Sequence, residues 1–321
     1  VVIRRRILLS GVAAAGALLA AGCSGSGPSD QPPRGDGGED QRTWRMPEEG
    51  DPHKRTWMAF DASETIWGAA LLPEVRRNLA TIARTIAQFE PVSMLVRSED
   101  FDHDAGVADF VAARAGVESL PTDLVLEGGG IEVDGEGTAL ITESCVLNPN
   151  RNPGWSKADV EAELGPLLGL DKIIWLPGIA GRDITDGHTD FYARFARPGV
   201  VVAGLDPDPE SWDHDVTVRH LDLLKSATDA KGRPLEVVVL EAPGRVRPEY
   251  ESDDFAAGYI NFYVCNGAVI AAEFGDPETD HAANHELQRL FPDRRVVQIN
   301  IDGIAAGGGG IHCTTQQEPA D

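Results

Sequence analysis

The sequence predicts an α/β protein with one folded domain. Three observations carry that prediction. Short apolar runs of strand character alternate with amphipathic stretches of helical period, and no linker-like composition interrupts them after residue 46. The 321-residue chain, 42 % hydrophobic, is also long enough to bury a sizeable core. A formal net charge of −24 argues against nucleic acid and anionic membrane surfaces as partners and suits a small cationic ligand. The four cysteines, Cys23, Cys145, Cys265 and Cys313, are too sparse for a disulfide framework or a cysteine-rich zinc site.

Residues 1–23 combine a basic start, an apolar run and small residues, the pattern of a secretory signal. Arg4-Arg5-Arg6-Ile7-Leu8 fits a twin-arginine export signal. Ala21-Gly22-Cys23 resembles a bacterial lipobox in which Cys23 carries the lipid. Residues 24–45, rich in Ser, Gly, Pro and Asp, are expected to form a disordered tether. The folded domain is then 46–321, exported and held at the membrane by a lipid anchor alone.

The domain begins with a stretch over 46–60 that ends in an apolar run, a first strand in which Trp57 either lines a site or fills the core. Val75, Leu79, Ile82, Ile86 and Phe89 recur at helical spacing and predict an amphipathic helix over 74–89. Further helices are expected over 107–115, 156–168, 216–227 and 281–290. Strands are expected over 91–96, 124–126, 138–148, 172–177, 200–203, 236–240 and 259–272. Cys145 and Cys265 lie in apolar strand candidates and read as core residues.

Chemistry concentrates where polar residues meet glycines at the ends of apolar runs. The three segments are Glu127-Gly128-Gly129-Gly130, Asp186-Gly187-His188-Thr189-Asp190 and Gly307 through Cys313. Four consecutive glycines before Ile311-His312-Cys313 let the backbone approach a ligand closely, with Gly309 and Gly310 nearest to it. A cysteine nucleophile, a histidine and acids to orient it are the parts of a covalent-catalysis site. Taken singly, each also has a plain reading: Cys313 as a small buried hydrophobe, His188 as a bonded loop histidine, Glu127 and Asp190 as surface acids.

The stretches LEGGGIEVDGEG (126–137), LNPNRNPG (147–154), WLPGIAGRDITDGHTDFYARF (175–195), EFGDPETD (273–280) and QINIDGIAAGGGGIHCTTQQEP (298–319), together with MPEEGDPHKRTWMAF, resemble the agmatine deiminase family, also called the Porphyromonas-type peptidyl-arginine deiminase family. The resemblance runs in order from about Met46 to Pro319. It implies a pentein fold, an α/β propeller of ββαβ-type blades around a substrate channel. It also implies hydrolysis of a guanidinium group to a ureido group with release of ammonia. Cys313 would be the nucleophile, His188 the proton carrier, Glu127 the group that orients it, and Asp190 the guanidinium holder. No metal or organic cofactor is implied, and a homo-oligomer is compatible with the sequence.

One departure stands out. The family usually carries a second guanidinium-binding aspartate in a W-x-R-D-x-G-P segment, and residues 97–126 contain none. A strand pair and its loops are expected to be absent around Asp104, leaving one blade incomplete and catalysis impaired unless Asp100, Asp102 or Asp104 substitutes. Agmatine is the implied substrate, giving N-carbamoylputrescine. Gly50, where the N-terminal signature often has tryptophan, and export both favour free or peptidyl arginine as the alternative. A lipoprotein that binds guanidinium or polyamine cations without turnover is a further alternative.

Overall fold

The computed structural model describes residues 45–60, 62–96, 106–250, 252 and 255–320, and the backbone of residues 2–4. The expected lipidation site Cys23, the tether before residue 45 and the substitute acids Asp100, Asp102 and Asp104 lie outside the described residues.

The chain begins with β1 (Val2–Arg4) and resumes with β2 (His53–Phe60), α1 (Glu64–Ile86) and β3 (Val92–Val96). A helix and strand, α2 (Val107–Ala115) and β4 (Ser119–Pro121), come next. Three similar units follow. The first comprises β5 (Ile131–Val133), β6 (Thr138–Thr142), α3 (Glu143–Val146), α4 (Lys157–Leu168) and β7 (Lys172–Leu176). The second comprises α5 (Thr189–Tyr192), β8 (Ala193–Arg197), β9 (Val200–Leu205), α6 (His214–Ser226) and β10 (Glu236–Glu241). The third comprises β11 (Tyr263–Cys265), β12 (Ala268–Glu273), α7 (Pro277–Leu290) and β13 (Arg295–Asn300), after which α8 (Asp302–Ala305) and β14 (Thr315–Pro319) end the chain.

Each unit is an antiparallel pair whose second strand returns, through a helix, to a parallel third: β5-β6-β7, β8-β9-β10 and β11-β12-β13. A fourth sheet of the same form joins the chain's two ends. In it β14 runs antiparallel to β2 with Gln316 opposite Trp57, and β3 lies parallel on the other side. Among the described residues, the α2-β4 segment shows only a helix and the strand that follows it. Its β4 pairs in parallel with β1, Val2 opposite Ser119. The backbone of Val2–Arg4 thus lies along an edge of β4, a position open to any extended segment.

The core lies on both sides of these sheets. One cluster joins Val75, Ile82 and Ile86 of α1 to Phe262, Tyr263, Ile270, Phe274 and Leu287. A second packs β6 to β9 against Leu221 and Leu224 of α6, and a third packs α3 and α4 on Ile141. The buried residues of α2, Ala108 and Ala112, belong to none of the three.

Several elements differ from the sequence prediction. Helix α1 begins ten residues before the expected start because the periodic pattern is readable only beyond the Gly68 kink (φ +67°) and Pro73. The expected strand at 124–126 is irregular. The Asn152 side chain bonds both Val125 N (2.8 Å) and Val125 O (2.8 Å), taking the place of a neighbouring strand. The run over 138–148 turns helical at Glu143, and 259–272 splits into β11 and β12 about Asn266-Gly267, with Gly267 at φ +79°. Strands β8, β13 and β14 carried no separate prediction.

Candidate active site

Four lead-in turns bring the site together, each directly ahead of the first strand of a sheet. Glu127 precedes a 3-10 turn of Gly128–Gly130 that opens into β5. His188 caps the short helix α5, whose Asp190 immediately precedes β8. Asn261 lies before β11, and Cys313 sits in the 3-10 turn His312–Thr314 before β14. Because equivalent turns of related units point the same way, residues far apart in sequence converge on one place.

The structure brings all four predicted catalytic residues together. His188 is held between two carboxylates, with Nε2 3.5 Å from Glu127 Oε2 and Nδ1 4.0 Å from Asp190 Oδ1. The Cys313 thiol lies 3.6 Å from Asp190 Oδ2. Gly129 makes this convergence possible, since a Cβ there would come within 2.6 Å of both Asp190 Oδ2 and His188 Nδ1. Thr189 Oγ1 donates to Gly130 O at 3.0 Å and locks the two turns together.

Glu127 works within a fixed frame. Arg151 Nε donates to both its oxygens at 2.7 and 2.9 Å, and Arg151 Nη1 donates to Asp186 Oδ2 at 2.9 Å. One guanidinium thus fastens the Glu127 turn to the loop that carries His188. That loop needs fastening, for Asp186 adopts φ +58° without being glycine. Burial opposes ionisation of Glu127, but His188 and Arg151 outweigh it and hold the carboxyl down at about 2. Glu127 is therefore a carboxylate at neutral pH, suited to orienting the imidazole and stabilising its charged form.

Cys313 is exposed, whereas Cys145 and Cys265 are buried. The protein crowding its sulfur and the facing Asp190 carboxylate push the thiol well above its usual value, against donation from Asn261 Nδ2 at 3.3 Å. Asn261 Oδ1 also accepts the Cys313 amide at 3.3 Å. Asp190 itself is fully buried, and its Oδ1 has no hydrogen-bond partner among the described residues.

Glu127, Cys145 and His188 offer donor atoms within 4.8 Å of one another, the spacing of a metal site. Arg151 already occupies both Glu127 oxygens, however, and burial pushes the Cys145 thiol far up.

The predicted binding residues fare unevenly. Gly310 is required, but by Asn261, whose Oδ1 would lie 2.2 Å from a Cβ there, while a Cβ on Gly309 would press on Ile304 at 3.1 Å. Trp57 is not in the site. It is buried in β2, and its indole N–H is consumed by Glu318 Oε2 at 2.8 Å. The tryptophan on the glycine loop is Trp67 of α1, whose ring would lie 2.2 Å from a Cβ on Gly307. Sequence reasoning assigned no role to Arg151, Asn261, His312 or Glu49. The signal for Arg151 was its place between two asparagines in the 147–154 motif; Asn261 carries no local signal.

Comparison with known proteins places this geometry. The chain matches the sequence profile described as Porphyromonas-type peptidyl-arginine deiminase in two stretches, residues 45–105 and 97–319. It belongs to that family, and its fold is a pentein. A putative agmatine deiminase of Streptomyces coelicolor is 40 % identical, with 86 % of this chain and 99 % of the relative aligned. The agmatine deiminase of Pseudomonas aeruginosa is 33 % identical over 90 % of this chain and 97 % of its own. In three dimensions the chain superposes on the agmatine deiminase of Enterococcus faecalis with a TM-score of 0.79 at 29 % identity, covering 86 % of this chain and 96 % of the other. The alignment with the Streptomyces protein spans 338 positions but takes in only 86 % of this 321-residue chain, about 276 residues, so the relative carries roughly 60 residues with no counterpart here.

Proposed function

We propose that this chain is an agmatine deiminase-type hydrolase, converting the guanidinium group of agmatine to a ureido group and releasing ammonia. The observation that carries the reading is the set of groups around Asp190: a buried carboxylate with one unpaired oxygen, a thiol 3.6 Å away, and a histidine held between that carboxylate and a second one. A planar cation satisfies that carboxylate by charge-assisted hydrogen bonds. It also removes the negative charge that holds the Cys313 thiol up, so the thiolate forms when substrate is present.

The Cys313 thiolate attacks the guanidinium carbon and a C–S bond forms. The C–N bond breaks as His188 gives a proton to the departing ammonia, leaving a thiouronium on sulfur. His188 then takes a proton from water, whose oxygen attacks the same carbon. The C–S bond breaks and the remaining hydroxyl proton passes to solvent, so the neutral ureido product leaves with the thiolate restored. Glu127 supports the histidine in both half-reactions.

The propeller reading extends this. Each lead-in turn of the described sheets supplies site groups, and the α2-β4 segment lacks the strand pair that such a turn would precede. We read it as the remainder of a fifth ββαβ blade. The two family-matched stretches overlap at 97–105, directly before α2, where the missing W-x-R-D-x-G-P segment is expected. The second guanidinium-binding carboxylate is then lost with the strands, and turnover is slower than in complete relatives.

Ammonia release from agmatine, free arginine and a blocked arginyl peptide, each with Cys313→Ala as control, tests the reading. Cysteine-dependent release from agmatine ahead of the other two supports it; release only from the arginyl peptide moves the substrate to protein. Export and lipidation at Cys23 rest on the sequence pattern alone, and radiolabelled palmitate incorporation that survives or disappears in Cys23→Ala decides them.

A further inference from the structure

The reaction above uses Asp190, but it does not explain what fixes a fully buried carboxylate in the orientation the guanidinium needs. The answer lies behind it. Asp190 Oδ2 is 2.7 Å from His312 Nδ1, and the opposite ring nitrogen, His312 Nε2, is 3.0 Å from Glu49 Oε2. Glu49 Oε2 is in turn 2.8 Å from Arg194 Nη2, and Arg194 Nε reaches Glu132 Oε1 while its Nη1 reaches the Phe262 carbonyl. Arg194 is fully buried and lies over the Phe262 ring at 4.8 Å. A row of alternating charge therefore runs from the site into the core: Asp190, His312, Glu49, Arg194, Glu132.

Two flanking carboxylates favour a charged ring in the middle member: Nδ1 is hydrogen-bonded to Asp190 Oδ2, and Nε2 is within ion-pair distance of Glu49 Oε2, an oxygen without a hydrogen-bond partner among the described residues. Both ring nitrogens of His312 face carboxylate oxygens, and a neutral imidazole has only one N–H to give. The groups facing it are Asp190 and Glu49 in contact, Arg194 and Glu132 behind Glu49, and His188 and Cys313 beyond Asp190. Burial and Arg194 act against protonation, but Glu49 and Asp190 prevail and hold His312 up at about 9. Glu49 is itself pinned, its Oε1 accepting Val264 N at 2.6 Å and its carbonyl accepting His53 Nε2 at 2.7 Å.

We propose that His312 is a positioning residue. As an imidazolium braced by Glu49 and Arg194, it grips Oδ2 of Asp190, keeps that carboxylate ionised and leaves Oδ1 for the guanidinium. The inference rests on the reading of Asp190 as the guanidinium holder. It also gives the N-terminal signature a role at the site, through Glu49.

Two measurements on the full chain test it. In ¹⁵N-histidine-labelled protein, the His312 ring should stay doubly protonated through pH 8, and Asp190→Asn should weaken its hold on the proton by about tenfold or more. A ring that titrates near the ordinary histidine value overturns the proposal without reference to activity. Calorimetry of agmatine with Cys313→Ser, alone and with His312→Gln, is the second. The added change should weaken Kd by about tenfold at pH 6 and less at pH 8, because an Asp190 deprived of its cation takes up a proton more readily. In the otherwise intact enzyme, the acid limb of kcat/KM should move to higher pH in His312→Gln. Tighter binding in His312→Gln would show that His312 competes with substrate for Asp190, and a loss of thermal stability with unchanged Kd and pH profile would show a tie of structure only; either overturns the proposal. No agmatine binding to the Cys313→Ser parent would instead bring down the deiminase reading, and this inference with it.

Discussion

The four three-stranded sheets and the α2-β4 segment differ in what they bury. In the complete sheets, a lead-in turn, a strand pair, a helix and a returning strand bury a shared core and deliver site residues at their front edge. In α2-β4 a helix is followed by one strand, β4 is paired only to Val2–Arg4, and nothing from this segment enters the three apolar clusters. The difference teaches that in this fold the catalytic groups travel with the strand pairs. On the reading proposed above, Cys313, His188 and Asp190 are retained because they belong to other units than the α2-β4 segment.

The comparison can be broken or sharpened experimentally. The largest effect should come from the complete side. Cys313→Ala is expected to lower ammonia release by about a thousandfold or more, since no other group in the site can form the covalent intermediate. Equal release by the variant would mean that a contaminant or a different site does the chemistry.

Stability should be just as unequal. Leu140, fully buried in β6, should cost about 2–5 kcal/mol when changed to alanine. Val117, 39 % exposed beside β4, should cost under about 0.5 kcal/mol for the same change. Denaturant melts of the two variants compare them directly, and a large loss at Val117 would mean that the α2-β4 side packs more tightly than its exposure indicates.

A graft sharpens the comparison further. Inserting the missing strand pair of the Streptomyces coelicolor relative at residues 97–105 should raise kcat/KM for agmatine by about a hundredfold, the scale expected when a misaligned substrate becomes well oriented. No gain from a folded graft would show that another acid already serves.

The smallest predicted effect concerns the thiol. Although exposed, Cys313 should react slowly with iodoacetamide at pH 8, because desolvation and then Asp190 raise its proton affinity. The rate should climb with pH, and Asp190→Asn should speed it by about tenfold at pH 8, corresponding to about one pKa unit. Unchanged alkylation would remove Asp190 from control of the thiol.

Much of this was legible in the sequence where chemistry and backbone demands coincide. Glycines beside Glu127, His188 and Cys313 marked close approach, and Gly129 and Gly310 prove necessary for contacts with His188, Asp190 and Asn261. Less was legible where a residue acts through long-range partners. Arg194 lies in a stretch that carried no strand prediction, and only the fold shows it meeting Glu49 and Glu132. Trp57 stayed open between lining a site and filling the core, because periodicity cannot tell which face of a strand meets a cavity and which meets the partner strand bearing Glu318. The Asn266-Gly267 turn was readable and went unused, so one long strand stood where a hairpin forms.

The most direct test of the central claim, that Cys313 and Asp190 together perform guanidine hydrolysis, is mass spectrometry of the Cys313 peptide after acid quench of the protein turning over agmatine. The account predicts an added mass equal to agmatine less ammonia, confined to Cys313 and lost in Asp190→Ala. Ammonia release with Cys313 unmodified at every quench time, or a folded protein that yields neither adduct nor ammonia, would contradict it.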